Sequence, residues 1–323
     1  YTVSVGMPTE TVYGLAADAG NDAAVAKIFA AKGRPSEHPL IVHVDDAGRG
    51  ADGAAFFAQR IPAAAQALMQ TFWPGPLTLI LPRRAAVGRA AAGGQDSIGL
   101  RCPSHPVAQA LLHACRERGV MGLAAPSANQ FGRVSPTTAV HVQGEFGPDL
   151  LVLDGGACDV GIESNIIDCS RGAPVLLRPG AITTRQLEQA CGRKVLDAQD
   201  AATETPAPRA SGTLLAHYAP KAKLRLMPAT ALQTALDMLG GDVKPSAAGP
   251  VIATYARTLL RSRSSGVLSR RMPDDAGSTA RQLFAVLRDF DDQGVRLIWV
   301  EEPPDEADWD GVRDRLQRAS AAG

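Results

Sequence analysis

The stretch Asn21-Asp-Ala-Ala-Val-Ala-Lys-Ile-Phe-Ala-Ala-Lys-Gly-Arg-Pro-Ser-Glu-His-Pro-Leu-Ile-Val-His-Val44 decides the fold class. Asn21 is an N-cap type of residue, and Val25, Ile28 and Phe29 follow it on one face at helical spacing. Lys32-Gly-Arg-Pro35 closes that helix. Leu40 to Val44 is then an apolar run of strand length, the pattern of a buried strand. Helix, short turn and buried strand in succession make the repeating unit of an α/β protein.

The same alternation runs outward to about residue 190. Leu77–Leu81, Ile98–Cys102, Leu150–Leu153, Asn165–Asp168 and Val175–Leu177 read as strands, and Met121–Ala124 as strand-like. Between them Ser104 precedes a helix that runs to about Arg118 with Gly119 as its stop. Ser135-Pro136 opens another, with proline at the first helical position. Thr183-Thr-Arg-Gln186 is a capping-box pattern for a third, ending at Gly192. From 193 to 222 the character changes. Asp197 to Pro208 has little apolar periodicity and two prolines, as a linker does. Beyond it the alternation restarts with strand Lys223–Met227, helix Leu232–Leu239, strands Val251–Tyr255 and Gly266–Leu268, helix Ser278–Asp291, strand Val295–Val300 and helix Trp309–Arg318. Ala280, Leu283, Phe284 and Leu287 mark the buried stripe of the long helix. The expected organisation is a first domain over 1–192, a linker or lid over 193–222 and a second, parallel α/β domain over 223–323.

Composition excludes several classes. The 323 residues carry 33 Lys+Arg and 33 Asp+Glu, so a strongly basic nucleic-acid binder is excluded. The five cysteines, at 102, 115, 158, 169 and 191, form no C-x-x-C pair. That argues against a zinc ribbon or a disulfide framework and for a reducing compartment, so a cytoplasmic location is expected. No apolar run reaches the roughly 18 residues of a membrane span. The chain opens on Tyr1 rather than Met, and a missing N-terminal segment is expected.

No phosphate loop, dinucleotide fingerprint, H-E-x-x-H or nucleophile elbow is present. Chemistry-bearing residues cluster instead in five short stretches. Pro8-Thr-Glu-Thr-Val-Tyr-Gly14 sets hydroxyls and a carboxylate beside a glycine. Lys32-Gly-Arg-Pro35 offers two cations able to wrap phosphate, or simply to meet a helix C-terminus. Ala125-Pro-Ser-Ala-Asn129 follows a strand end, where open α/β sheets bind ligands. Gly161-Ile-Glu-Ser-Asn165 and Leu177-Arg-Pro-Gly180 place Arg178 similarly, while Arg101 stands within an apolar strand and needs an anionic partner, either an internal acid or a ligand. Ser211-Gly-Thr-Leu-Leu-Ala-His-Tyr-Ala-Pro220 carries His217 and Tyr218 at the linker's end.

Taken in order, PTETVYGL, KIFAAKGRP with HPLIVHV, WPGPLTLIL, RCPSHP, APSAN with GRVSPT, GIES, LRPG and SGTLLAHYAP resemble the YrdC-like threonylcarbamoyl-AMP synthases in their long, two-domain form. The resemblance implies a twisted open sheet with a concave ligand cavity and a smaller Rossmann-like C-terminal domain. It implies synthesis of threonylcarbamoyl-adenylate and pyrophosphate from L-threonine, bicarbonate or CO2, and ATP with Mg2+, a nucleotidyltransferase reaction. The product would feed a threonylcarbamoyl transferase that modifies tRNA. Carried over motif by motif, Thr11, His43, Arg101, Ala125 and Ser164 border L-threonine. Lys32, Arg34, His38, Ser97, Ser127, Asn129, Ser135 and Arg178 surround ATP, Lys32 and Arg34 being the catalytic cations. His217 or Tyr218 closes over the nucleotide. The family's usual GIEST reads GIESN here, which puts altered function in question at Asn165, and His38 replaces a common Asn or Lys. Two alternatives stand beside this: a carbamoyl-adenylate-forming domain of the hydrogenase-maturation type, whose C-x-x-C pairs this chain lacks, and an RNA-binding or regulatory module of the same fold, for which balanced charge allows only weak RNA binding.

Overall fold

The computed structural model describes residues 4–199, 201, 207–247 and 249–322. They divide into two compact units. One comprises Tyr1–Phe131 and Ser135–Thr213, and the other Gly132–Val134 and Leu214–Gly323.

The first unit runs β1 (Val5–Met7), β2 (Gly14–Asp18), α1 (Asp22–Lys32), β3 (Ile41–His43), α2 (Ala51–Phe57), α3 (Ala63–Phe72), β4 (Leu77–Pro82), β5 (Ser97–Arg101), α4 (Pro106–Arg116), β6 (Leu123–Ala124), α5 (Ala139–Phe146), β7 (Asn165–Asp168), β8 (Val175–Arg178), α6 (Thr184–Cys191) and β9 (Leu196–Asp197). The strands form one sheet in the order β1-β2-β6-β3-β5-β4-β7-β8-β9. It is mixed: β3 lies parallel to β5, and β4 parallel to β7, while β4 and β5 run antiparallel. Period-two alternation gives the sheet two distinct faces. Val42, Leu100, Leu79 and Ile167 are register partners across four strands, and all four lie in the main apolar core. The neighbouring residues His43, Arg101 and Thr78 therefore project from the opposite face.

The local signals explain the helices that flank the sheet. Asn21 caps α1 by accepting from Ala23 N and Ala24 N, and Gly33 ends it at φ 60. Thr183 and Gln186 form the capping box of α6, which stops at Gly192. Three expectations fail. Ser135-Pro136 opens no helix, because α5 starts at Ala139 with Thr138 as its cap, and the Ser135 hydroxyl is buried against Glu163. The cap of α4 is His105 rather than Ser104. Leu150–Leu153 gives a single bridge, Gly6 to Val152, because only Gly6 on the short β1 edge receives it.

The second unit runs β10 (Lys223–Met227), α7 (Ala229–Leu239), β11 (Ile252–Ala256), β12 (Val267–Arg271), α8 (Ala276–Asp292), β13 (Leu297–Glu301) and α9 (Asp310–Ser320). Its sheet, β10-β13-β11-β12, is wholly parallel. The stripe Ala280, Leu283, Phe284 and Leu287 of α8 is buried.

The span expected as a linker is shared out rather than free. β9, at Leu196–Asp197, pairs with β8, and the division between the units falls after Thr213. Asp200 and residues 202–206 of that span lie outside the described residues.

Candidate active site

A single rung of the first sheet carries most of the polar side chains expected to act. His43 on β3 pairs with Arg101 on β5, Arg101 with Thr78 on β4, Thr78 with Ile166 on β7, and Ile166 with Arg178 on β8. Register partners share a face, so strand pairing alone lines up an imidazole, two guanidiniums and a hydroxyl. All of these polar residues are buried. Burial, and next the charge of Arg101, pull the His43 pKa down to about 3, against the weaker opposing pull of the Ile41 and Leu123 carbonyls. His43 is thus neutral at physiological pH. Its Nδ1 finds no hydrogen-bond partner among the described residues.

Arg101 is already engaged. Its Nη2 donates to Glu10 Oε1 at 2.6 Å, its Nη1 to Thr11 Oγ1 at 2.8 Å and its Nε to the Gly75 carbonyl at 3.3 Å. The second carboxylate oxygen of Glu10 accepts from Ser104 N at 3.1 Å. Of the two partners open to Arg101 in the sequence, the structure supplies the internal acid. Thr9 donates its hydroxyl to the Val12 carbonyl at 2.6 Å, so in its 2.9 Å contact with Thr11 it accepts. Thr11 thus donates to Thr9 and accepts from Arg101, and the PTET turn is held rigidly against the rung.

The second cluster lies at the end of α1. Lys32 is buried, and its Nζ donates to the Ser127 carbonyl at 2.6 Å and to the Asn129 carbonyl. Burial first, and then Arg34, lower its pKa to about 7, with Glu145 opposing. The left-handed turn at Gly33 brings Arg34 back beside it, where Nη2 donates to the Pro39 carbonyl at 2.9 Å and to Ser211 Oγ at 3.3 Å. Phe131 lies under the Arg34 guanidinium, 5.7 Å from ring centroid, and takes His38 edge-on at 5.5 Å. Desolvation and then Arg34 also lower the His38 pKa.

Arg178 joins the rung to residues from the former linker. Its Nε donates to the Ser164 carbonyl at 3.0 Å, its Nη2 to Ser164 Oγ at 3.3 Å and its Nη1 to the Ser211 carbonyl at 2.9 Å. Ser164 Oγ also meets Thr78 Oγ1 at 2.8 Å. Ser211 Oγ donates to the Pro39 carbonyl at 2.7 Å, and Arg209 N to Gln95 Oε1 at 2.8 Å. Residues 209–211 thereby roof a narrow groove whose floor is Ile41, Thr78, Ile80, Gly99 and Ile166, with Ser97 at its rim. The floor is the site face of the sheet.

The structure therefore brings together Thr11, His43, Arg101, Ser164 and Arg178 on or beside one rung, and Lys32, Arg34, His38, Ser127 and Asn129 around the α1 terminus. Ala125 is buried against Gly14, where an added Cβ would stand 3.0 Å from that of Ala125. Ser135 is committed to Glu163. His217 and Tyr218 belong to the second unit instead. His217 N donates to the Arg318 carbonyl at 3.3 Å, and Tyr218 is buried on Phe284 with Arg315 over its ring at 5.3 Å. Asn165 is structural: its amide exchanges two hydrogen bonds with the Ile182 backbone, at 2.8 and 3.0 Å, from the face opposite the rung. Glu10, Thr78 and Ser211 are the members the sequence reading missed. Thr78 had a signal, as the one hydroxyl inside Leu77–Leu81, while Glu10 and Ser211 lay within quoted motifs without a role assigned to them.

Two family models match the chain. One, described as telomere recombination, matches residues 4–180, and one described as the threonylcarbamoyl-AMP synthase C-terminal domain matches residues 182–321. The chain is 35% identical to a threonylcarbamoyl-AMP synthase of Pyrococcus abyssi over 98% of its own length and 90% of the relative's. It is 36% identical to one of Bacillus subtilis, covering 98% and 89%. A solved structure of the Pyrococcus abyssi Sua5 protein complexed with L-threonine superposes with a TM-score of 0.84 at 33% identity, over 99% of this chain and 91% of that one. Another solved structure, of a variant of that Sua5 in which an adjacent histidine and tyrosine are alanine, gives 0.85 at 32% identity.

Proposed function

The chain belongs to the threonylcarbamoyl-AMP synthase family in its two-domain form, and from that premise we propose that it is a nucleotidyltransferase making threonylcarbamoyl-AMP and pyrophosphate from L-threonine, bicarbonate or CO2, and ATP. The observation that carries the reading is a cluster of cationic groups: Arg34 and Arg178 converge on Ser211, and Lys32 stands beside Arg34. The reaction requires no protein nucleophile. The threonine amine captures CO2 as a carbamate, a carbamate oxygen attacks the α-phosphorus, and the bond to the β-phosphate oxygen breaks to release pyrophosphate. Catalysis then consists of holding two anions in line and stabilising the charge that develops at phosphorus.

The rung suits an amino acid beside such a reaction, and L-threonine is what the Pyrococcus relative holds. Neutral His43 can accept from an ammonium or donate to a hydroxyl without adding charge. Arg101, fixed by Glu10 and Thr11, keeps two N–H groups for a carboxylate. Lys32, with two hydrogens on carbonyls, keeps one for a phosphate oxygen. Magnesium enters the reading as part of the Mg–ATP substrate, since Mg2+ at such sites is carried largely by phosphate oxygens and water. The adjacent histidine and tyrosine altered in the relative are of the same types as His217-Tyr218, and closure of that pair over the nucleotide is part of this reading.

The mixed anhydride product suits transfer to tRNA by a separate threonylcarbamoyl transferase, and a cytoplasmic site of action follows from that use. No helix among the described residues is long and apolar enough to cross a membrane. Pyrophosphate release that requires ATP, L-threonine and bicarbonate together tests the reading. Release independent of threonine, or of bicarbonate, overturns it.

A further inference from the structure

Within the first 213 residues, Gly132–Val134 alone folds with the second unit. There Arg133 makes a parallel bridge with Ala219, and Ala219 N donates to the Gly132 carbonyl at 2.9 Å. Helix α8 locks the junction from two positions one turn apart. Arg288 donates to the Val134 carbonyl. Asp291 takes Lys221 N at 2.8 Å and Ala222 N at 3.0 Å, with Arg133 at 3.8 Å. Val134 is buried there.

Both stitched segments lead directly to the candidate nucleotide site. Asn129, whose carbonyl receives Lys32, precedes Gly132 by three residues, and Ser135 follows Val134 at once. Ser211, on which Arg34 and Arg178 converge, lies eight residues before Ala219. Short tethers transmit position, because a few residues of chain have little slack.

We infer that Arg288 and Asp291 are positioning residues for the nucleotide: by tying Gly132–Val134 to Ala219–Ala222 they fix how far apart the chain segments that carry Asn129 and Ser211 stand. The tied segments lead along the chain to Asn129 and Ser211, which the proposed reading sets around ATP, so the tie acts on ATP rather than on threonine. This rests on the nucleotide reading of Lys32 and Arg34. The arrangement gives the second unit a task in the reaction without any catalytic group of its own.

The test uses the full-length chain. ATP binding is measured by calorimetry without threonine, and KM for each substrate by pyrophosphate release, for the wild type, Arg288→Met, Arg288→Lys and Asp291→Ala, with thermal melting alongside. Arg288→Met and Asp291→Ala should weaken ATP about tenfold, the worth of one charge-assisted hydrogen bond, with threonine KM within about twofold. Arg288→Lys, which keeps a donor on a long stem, should recover most of the loss. A structural role alone would lower the melting temperature and leave both KM values of the folded fraction unchanged. Unchanged ATP affinity in folded Arg288→Met overturns the inference, and that variant decides the matter if Asp291→Ala does not fold. A wild type that fails to bind ATP overturns the reading of Lys32 and Arg34 and the tie with it, whereas a wild type that binds ATP beside unaffected variants overturns the tie alone.

Discussion

The Arg101 guanidinium lies 2.6 Å from the Glu10 carboxylate, and both groups are buried. This pair fixes the PTET turn to the central strand and sets the direction of the remaining guanidinium hydrogens. Removing one partner of a buried pair leaves the other charge uncompensated, at a cost of roughly 3–5 kcal/mol. Glu10→Ala should therefore lower the melting temperature clearly and raise threonine KM. Adding Arg101→Met should restore part of the stability, because no orphaned charge then remains, but none of the threonine affinity. Equal melting temperatures for the single and double variants would remove Glu10 from this role.

Lys32 is expected to control the pH dependence of nucleotide binding. Its pKa falls from 10.5 to about 7 through burial and the Arg34 charge. Between those values the unfolded chain holds a proton that the folded one lacks, so this group makes stability rise with pH from about 7 to 10.5. Below pH 7 both states are protonated, and the cost of the buried charge is fully present. Lys32→Met should accordingly stabilise the protein at pH 6 and do so progressively less toward pH 10. A bound triphosphate favours the ammonium, so ATP binding near pH 8 should take up a proton in the wild type and none in the variant. Calorimetry in buffers of different ionisation enthalpy reads this directly, and equal proton uptake in both proteins would show that another group titrates.

Ser211 is expected to matter more than its half-exposed position suggests. It accepts from Arg34, donates to the Pro39 carbonyl and offers its own carbonyl to Arg178. Ser211→Ala keeps the last of these and loses the other two. ATP affinity should fall about three- to tenfold, and proteolysis within residues 207–210 should become faster and less dependent on nucleotide. Cleavage rates matching the wild type, with unaltered ATP affinity, would make the segment a passive covering.

The reach of the sequence can be followed residue by residue. Helix signals are local, and Asn21 and Thr183 cap where their patterns place them. Strand order is not local. Leu77–Leu81 reads as a uniformly buried run, and only its pairing with β5 and β7 shows that Leu79 faces the core while Thr78 faces the groove. For the same reason Arg101 could be recognised as a charge in need of an anion, but Glu10, far away in sequence, could not be chosen as that anion. Ser135-Pro136 failed as a helix start because a distant acid, Glu163, claims the serine hydroxyl. Lys32 and Arg34 were legible because one glycine turn holds both. His217 and Tyr218 were legible as a marked pair at the linker's end, but not the surface that buries Tyr218, which is Phe284 and Arg315 of the second unit.

Gly99 separates a groove that binds substrate from one that is merely a gap in packing. It stands mid-strand in β5, where glycine weakens a strand and marks close approach by a ligand or another backbone. A Cβ there would meet Thr78 Cγ2 at 3.6 Å and Ile41 Cγ1 at 3.7 Å, both ordinary contacts. Gly99→Ala should thus fold normally and, by restricting the unfolded chain, cost no stability. A leucine at the same position would extend from the floor toward the Ala210–Ser211 roof, displacing that roof rather than the apolar core. Gly99→Leu should keep the melting temperature within a few degrees of the wild type while ATP- and threonine-dependent pyrophosphate release falls at least about a hundredfold, with Gly99→Ala within about threefold of wild type. Thermal melting and pyrophosphate release on the three proteins suffice. A fully active Gly99→Leu would place the reacting groups elsewhere, and an unfolded one would show that the floor tolerates no large side chain, in which case Gly99→Val, folded and at least about tenfold less active than Gly99→Ala, carries the comparison.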